Sequence, residues 1–245
     1  MSQTIEIQAP DGPAEAYLTG TSGDPGVLFY IDAIGLRPQI ETMADRIASW
    51  GYVVLAPNVF YRRGRAAELA PQGDLREPGA REAFFESMGD RVPSYTPDLS
   101  APDAEAWVSA LQEHAGPGPI GVTGYCMGAR LAVRTAGQFP GTVVAVGGFH
   151  GGGLVTDAED SPHLAIAGST ADYVFGHGDH DQNMTPEHVA ALEETLQATG
   201  RPHLNAIYPD APHGYSMADT SMYQEAGAER HFEELGGLLG RTLKG

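Results

Sequence analysis

Gly124-Tyr125-Cys126-Met127-Gly128 sets the chain's one cysteine between two glycines, each two positions away. The pentapeptide lies between a strand-like run and a segment with helical spacing. A nucleophile at a sharp strand-to-helix turn sits on strained backbone. Side chains two positions to either side would collide with neighbouring backbone, which favours glycine there. The start of the following helix offers free N–H groups and the positive end of its dipole, which suit a thiolate and a developing oxyanion. Small residues packing a helix on a sheet around a buried cysteine would give a similar pattern. The downstream sequence separates the two readings. Asp179-His180-Asp181 follows one strand-like run and Pro212-His213-Gly214 follows another. Nucleophile, acid and base thus arrive in an order that brings all three to the C-terminal ends of parallel strands, which share one crevice. His213 would take the thiol proton, and an aspartate would hold its imidazole in the productive tautomer.

The elements that must position these groups are legible as apolar runs. Thr4–Ile7 and Ala14–Thr19 are strand-like around an Asp11-Gly12 turn. Gly26–Ile31 and Tyr52–Ala56 are continuous apolar runs, as in strands buried on both faces. Ile120–Thr123, Thr142–Val146, Ala171–Phe175 and Leu204–Tyr208 complete the expected strands. Helical spacing appears at Ile40/Met43/Ile47/Ala48, Ala104/Trp107/Val108/Leu111, Met127–Gln138, Val189/Leu192/Leu196 and Phe232/Leu235/Leu238/Leu239. Residues 58–100 are rich in Pro, Gly and Arg and read as an excursion over the pocket with short helical pieces. Strands alternating with helices predict one α/β domain spanning residues 1–245, a mostly parallel sheet with helices on both faces.

Composition narrows the function classes. The 245 residues carry a formal net charge of −18. Such a chain repels nucleic acid and anionic membranes, so neither is expected as a partner. No apolar run approaches a bilayer span. The start, MSQTIEIQAP, has no basic region followed by an apolar stretch. With a single thiol, this predicts a cytoplasmic protein, monomeric or homodimeric, acting on a small molecule. His177, Asp179, His180 and Asp181 offer zinc-ligand types, but they crowd into one loop without a second cluster, so no metal is expected.

Four segments together resemble the dienelactone hydrolase family: YIDAIGLRP at 30–38, LAPNVFYR at 55–62, the elbow GYCMGAR at 124–130 and the Pro-His-Gly step at 212–214. The resemblance runs from about residue 26 to 240. It implies an α/β-hydrolase fold, no cofactor, and a Cys-His-Asp triad cleaving lactones or activated esters through a thioester. It also implies that Asp32 interacts with the resting thiol and that the Ala33 and Met127 N–H groups form the oxyanion hole. Asp179 and Asp181 both suit the acid. The spacing to Thr185-Pro186-Glu187 resembles the family's and favours Asp181. Two positions depart from the best-known members. Asp32 stands where they have glutamate, and Met217 where they carry the arginine that binds a substrate carboxylate. Arg91, ahead of Arg37, Arg62 and Arg81, is the first candidate to replace that cation. Without one, neutral esters or lactones are the expected substrates. The alternative to an ester or lactone hydrolase is a catalytically idle member that binds a small ligand.

Overall fold

The computed structural model describes residues 2–116 and 118–245. The chain forms two compact units. One runs to Gly118 and takes in Met217–Ser221; the other comprises Pro119–Ser216 and Met222–Gly245.

In the first unit, β1 (Gln3–Ala9) and β2 (Gly12–Thr19) make an antiparallel hairpin. β2 also pairs antiparallel with β4 (Val53–Pro57), which pairs parallel with β3 (Gly26–Tyr30). Every residue of β3 and β4 is buried, as their unbroken apolar runs require. Between them, α1 (Pro38–Ala48) starts on a proline, tolerated there because the first-turn N–H has no helical partner. It buries Ile40, Met43, Ala44 and Ile47. The excursion after β4 holds the short helices α2 (Ala66–Leu69) and α3 (Ala80–Ser87). It is tied down at Asp103 of α4 (Pro97–Ala115). That fully buried carboxylate accepts two hydrogen bonds from the Arg62 guanidinium, at 2.7 and 2.8 Å. It also accepts from the Tyr61 and Tyr95 hydroxyls at 3.0 and 2.9 Å. A buried charge persists only when paired and bonded in this way.

In the second unit, β5 (Ile120–Tyr125), β6 (Val143–Phe149), β7 (Asp172–Gly178) and β8 (His203–Tyr208) pair in parallel in that order. α5 (Met127–Gln138), α6 (Pro186–Thr199) and α7 (Glu225–Leu243) accompany them, with a 3-10 turn at Pro162–Gly168. Consecutive glycines of β6 show how the sheet is covered. A Cβ on Gly147 would lie 2.8 Å from Leu235 of α7, and one on Gly148 would lie 3.4 Å from Ala129 of α5. Adjacent strand residues point to opposite faces, so α5 and α7 cover opposite faces of this sheet. Leu235, Leu238 and Leu239 of α7 are fully buried, and truncating any one would cost ~2–5 kcal/mol.

In the second unit, three strands run past their sequence-expected ends. β5 continues through Gly124-Tyr125, β6 through Gly147-Gly148-Phe149 and β7 through Gly176-His177-Gly178. Gly and His read locally as turn residues, but parallel pairing overrides them: His177 pairs with Ile207 and Gly178 with Tyr208. Each strand therefore delivers its loop two or three residues later than the apolar run suggested.

Candidate active site

Cys126 sits between β5 and α5 with φ 54° and ψ −120°, a region that L-residues seldom occupy. The glycine at 124 has a direct steric reason. A Cβ on Gly124 would lie 2.1 Å from the Gly128 carbonyl oxygen, an impossible approach. The turn is held by the Cys126 N–H donating to Phe149 O (3.1 Å) and by Cys126 O accepting from Gly152 N–H (3.3 Å). Met127 begins the helix, where the leading N–H groups have no intrahelical acceptor.

His213 Nε2 lies 3.1 Å from Cys126 Sγ, and His213 Nδ1 lies 2.7 Å from Asp181 Oδ2. The Asp181 side chain is fully buried. Its other oxygen accepts from the Asn183 backbone and side-chain N–H groups, at 2.8 and 3.0 Å. Burial works against the Asp181 charge, but the hydrogen bond and charge of His213 and the Asn183 donors outweigh it and lower its pKa. Burial likewise opposes a proton on His213. The negative charge of Cys126 and the bonds to Asp181 and Cys126 prevail, and its pKa rises to about 10. The surroundings thus favour the charged form of His213, steadied by the Asp181 carboxylate. Asp179 is not on the imidazole; it is exposed and accepts from the Asp210 N–H at 2.8 Å.

His150, which the sequence reading passed over, lies beside this relay. It follows β6 at φ 37° and is 1% exposed. Its ring meets that of His213 edge-on, centroids 5.4 Å apart, and its Nε2 is 2.8 Å from the Ser216 Oγ. Cys126, His150 and Asp210 are the described non-glycine residues with positive φ. Among the described non-glycine residues, positive φ is thus confined to Cys126, a ring packed on His213, and the loop leading to His213. Only the glycine run at 151–153 hints at this in the sequence.

The remaining candidates lie in the first unit. Ala33 and Asp32 follow β3 and are buried. Asp32 Oδ1 accepts from the Ile34 and Gly35 N–H groups and from Arg37 Nη1 at 2.7 Å, while Oδ2 accepts from Arg37 Nη2 at 3.0 Å. The other edge of Arg37 donates to Asp219 at 2.6 and 3.1 Å. Burial disfavours the Arg37 charge, but Asp32 and Asp219 more than restore it, so its pKa is raised. Met217 is buried with its sulfur 3.5 Å from Arg37 Nη2. A cation does stand at Met217, already matched by two carboxylates. Arg91 lies between the Phe60 and Phe84 rings, 5.7 Å from each centroid, and donates to Leu69 O at 3.3 Å. Arg62 is committed to Asp103 and Asp11, and Arg81 rests over Phe85.

His177 points into β7–β8, its Nε2 2.7 Å from Asn205 Oδ1, so the four candidate ligands of that segment do not converge. Among the described residues, the group that does is Asp179, His180 and Asp210, all exposed, with ligand atoms within 4.8 Å of one another.

The dienelactone hydrolase family model matches residues 14–243. The chain belongs to the dienelactone hydrolase family. A Methylorubrum extorquens protein provisionally named a carboxymethylenebutenolidase is 24% identical over 241 residues, covering 94% of this chain and 78% of that one. The carboxymethylenebutenolidase of Rhodococcus opacus is 27% identical over 211 residues, 86% of this chain and 77% of its own. A solved Klebsiella pneumoniae structure, provisionally named a dienelactone hydrolase, aligns with TM-score 0.78 and 19% identity over 98% of both chains. The fold is that of this family, an α/β-hydrolase. No helix among the described residues is long and apolar enough to cross a membrane.

Proposed function

We propose that the chain hydrolyses a carboxylic ester or lactone through a thioester on Cys126. The observation that carries this reading is the unbroken relay from Asp181 through His213 to Cys126, at 2.7 and 3.1 Å, on a strained turn at a helix start.

The chemistry follows from the geometry. The Cys126 thiolate attacks the carbonyl carbon, and the Met127 N–H stabilises the negative charge that develops on the carbonyl oxygen. Collapse breaks the ester C–O bond, and the departing oxygen takes the proton from the His213 imidazolium. A water then gives a proton to His213 Nε2 and attacks the thioester. The acid leaves and the thiolate–imidazolium pair returns. Asp181 keeps Nδ1 protonated and supports the imidazolium throughout. A thiolate suits esters with good leaving groups. An enol lactone is one, because it opens to a stabilised enolate.

p-Nitrophenyl acetate tests the reading. Wild type should give a burst of nitrophenolate equal to the enzyme, and Cys126→Ala should give none while staying folded by circular dichroism. Undiminished turnover by Cys126→Ala would remove the cysteine from the mechanism.

A further inference from the structure

The second unit contains one arginine whose surroundings are unlike the rest. Arg134 pairs with Asp160, Arg201 and Arg241 with Asp172, and Arg230 with Glu234. Arg130 has neither a carboxylate partner nor a hydrogen bond among the described residues, although it is half-buried. In a chain of net charge −18, acids are plentiful, and a partly desolvated guanidinium left without one is costly.

Its position is informative. Cys126 caps α5 and Arg130 is four residues on, so both lie on one face of the helix. Helical side chains lean toward the N-terminus, which brings Arg130 back over the turn that carries the thiol. A Cβ on Gly153 would lie 3.5 Å from Arg130 Nη1, and one on Gly152 would lie 3.8 Å from His213 Cε1. Successive residues of one glycine loop therefore abut the guanidinium and the base. Burial weakens the Arg130 charge, and the facing Cys126 charge partly restores it against repulsion from Arg134.

We infer that Arg130 is a specificity residue: its unpaired guanidinium, one helical turn from the nucleophile, receives an anionic group carried a few bonds from the reacting carbonyl. The substrate class becomes esters or lactones bearing a carboxylate. This deepens the proposed function and rests on it. It also reverses the preference for neutral substrates expected from Met217, because the cation comes from the nucleophile's own helix.

Cys126 is the one cysteine, so alkylation reads the site directly. Iodoacetate and iodoacetamide react alike at a thiolate but differ in charge. The ratio of their rate constants, iodoacetate over iodoacetamide, should fall about tenfold in Arg130→Gln, the lower end for a charge-assisted contact. Arg130→Lys should keep part of it, and Arg134→Gln should leave it unchanged. In wild type, added salt should slow iodoacetate more than iodoacetamide, a measurement that stands even where a variant fails to fold. An unchanged ratio in folded Arg130→Gln, with both reagents slowed equally or not at all, overturns the inference. Because alkylation needs no ester cleavage, the ratio stands whether or not the protein proves to be a hydrolase. If the burst is seen, p-nitrophenyl hydrogen succinate should exceed p-nitrophenyl butyrate in kcat/KM, and Arg130→Gln should erase the advantage. An advantage that survives Arg130→Gln also counts against it.

Discussion

Two buried aspartates each hold a nitrogen base at about the same distance, yet they do different work. Asp181 holds His213 at 2.7 Å, and Asp32 holds Arg37 at 2.7 Å. The imidazole has a second nitrogen 3.1 Å from a thiol, and its proton can leave. The guanidinium stays charged at any working pH, and its second edge is taken by another carboxylate, Asp219. The first set is a relay that can move a proton. The second is a clamp that cannot. It ties the turn after β3 to residues 217–219, the segment that follows His213 by four residues. Asp32 is therefore committed to Arg37, and we expect thiol activation to depend on His213 and Asp181.

Substitutions at the two carboxylate pairs should separate in kind. Asp181→Asn should lower kcat on the order of 10²–10⁴-fold, since an amide no longer supports the imidazolium. Urea unfolding should also show a loss of about 1–3 kcal/mol, because His213 gives up its buried anionic partner, but the fall in rate is the larger signature. Arg37→Met should do the reverse. It leaves Asp32 buried without its cation and should cost about 3–5 kcal/mol in urea unfolding. Asp32→Asn in the same chain should recover part of that cost. A rate collapse in folded Arg37→Met, with stability unchanged, would make the clamp part of the chemistry.

The difference also predicts pH behaviour. The pKa of His213 is raised from 6.5 to about 10, so its contribution to stability is full below 6.5 and is lost as pH rises through about 10. The pKa of Asp181 is lowered from 3.8, so its contribution is present above that value and is lost as pH falls through the depressed one. Alkylation of Cys126 by iodoacetamide should stay fast at pH ~6, well below the ordinary thiol pKa of about 8.5. His213→Gln should return the profile to an ordinary thiol titration. The smallest effect concerns His150. Ser216→Ala removes the partner of its Nε2 and should cost about 1–3 kcal/mol of stability. We expect it to change kcat less than tenfold.

The relay was readable in the sequence because local sterics write it there. Gly124 must be small for Cys126 to turn, and Cys126, Asp181 and His213 each follow a strand. Spacing alone left Asp179 beside Asp181; the fold puts Asp181 on the imidazole and turns Asp179 to solvent. The clamp was not readable. Arg37 and Asp219 are 182 positions apart, and nothing local to either announces the other. Neither the missing partner of Arg130 nor the backbone of His150 leaves a pattern, since both follow from what surrounds them. Among the elements, buried apolar runs located the strands, while glycine at their ends concealed how far β5, β6 and β7 extend.

The central claim is that Cys126 carries the acyl group while His213 and Asp181 drive its transfer. Rapid acid quench during turnover of p-nitrophenyl acetate, followed by peptide mass analysis, tests it most directly. One acetyl group is expected, on the peptide containing Cys126, formed quickly in wild type and far more slowly in His213→Gln. Steady turnover with no acetyl on Cys126 at any quench time, or with the label on another residue, would contradict it.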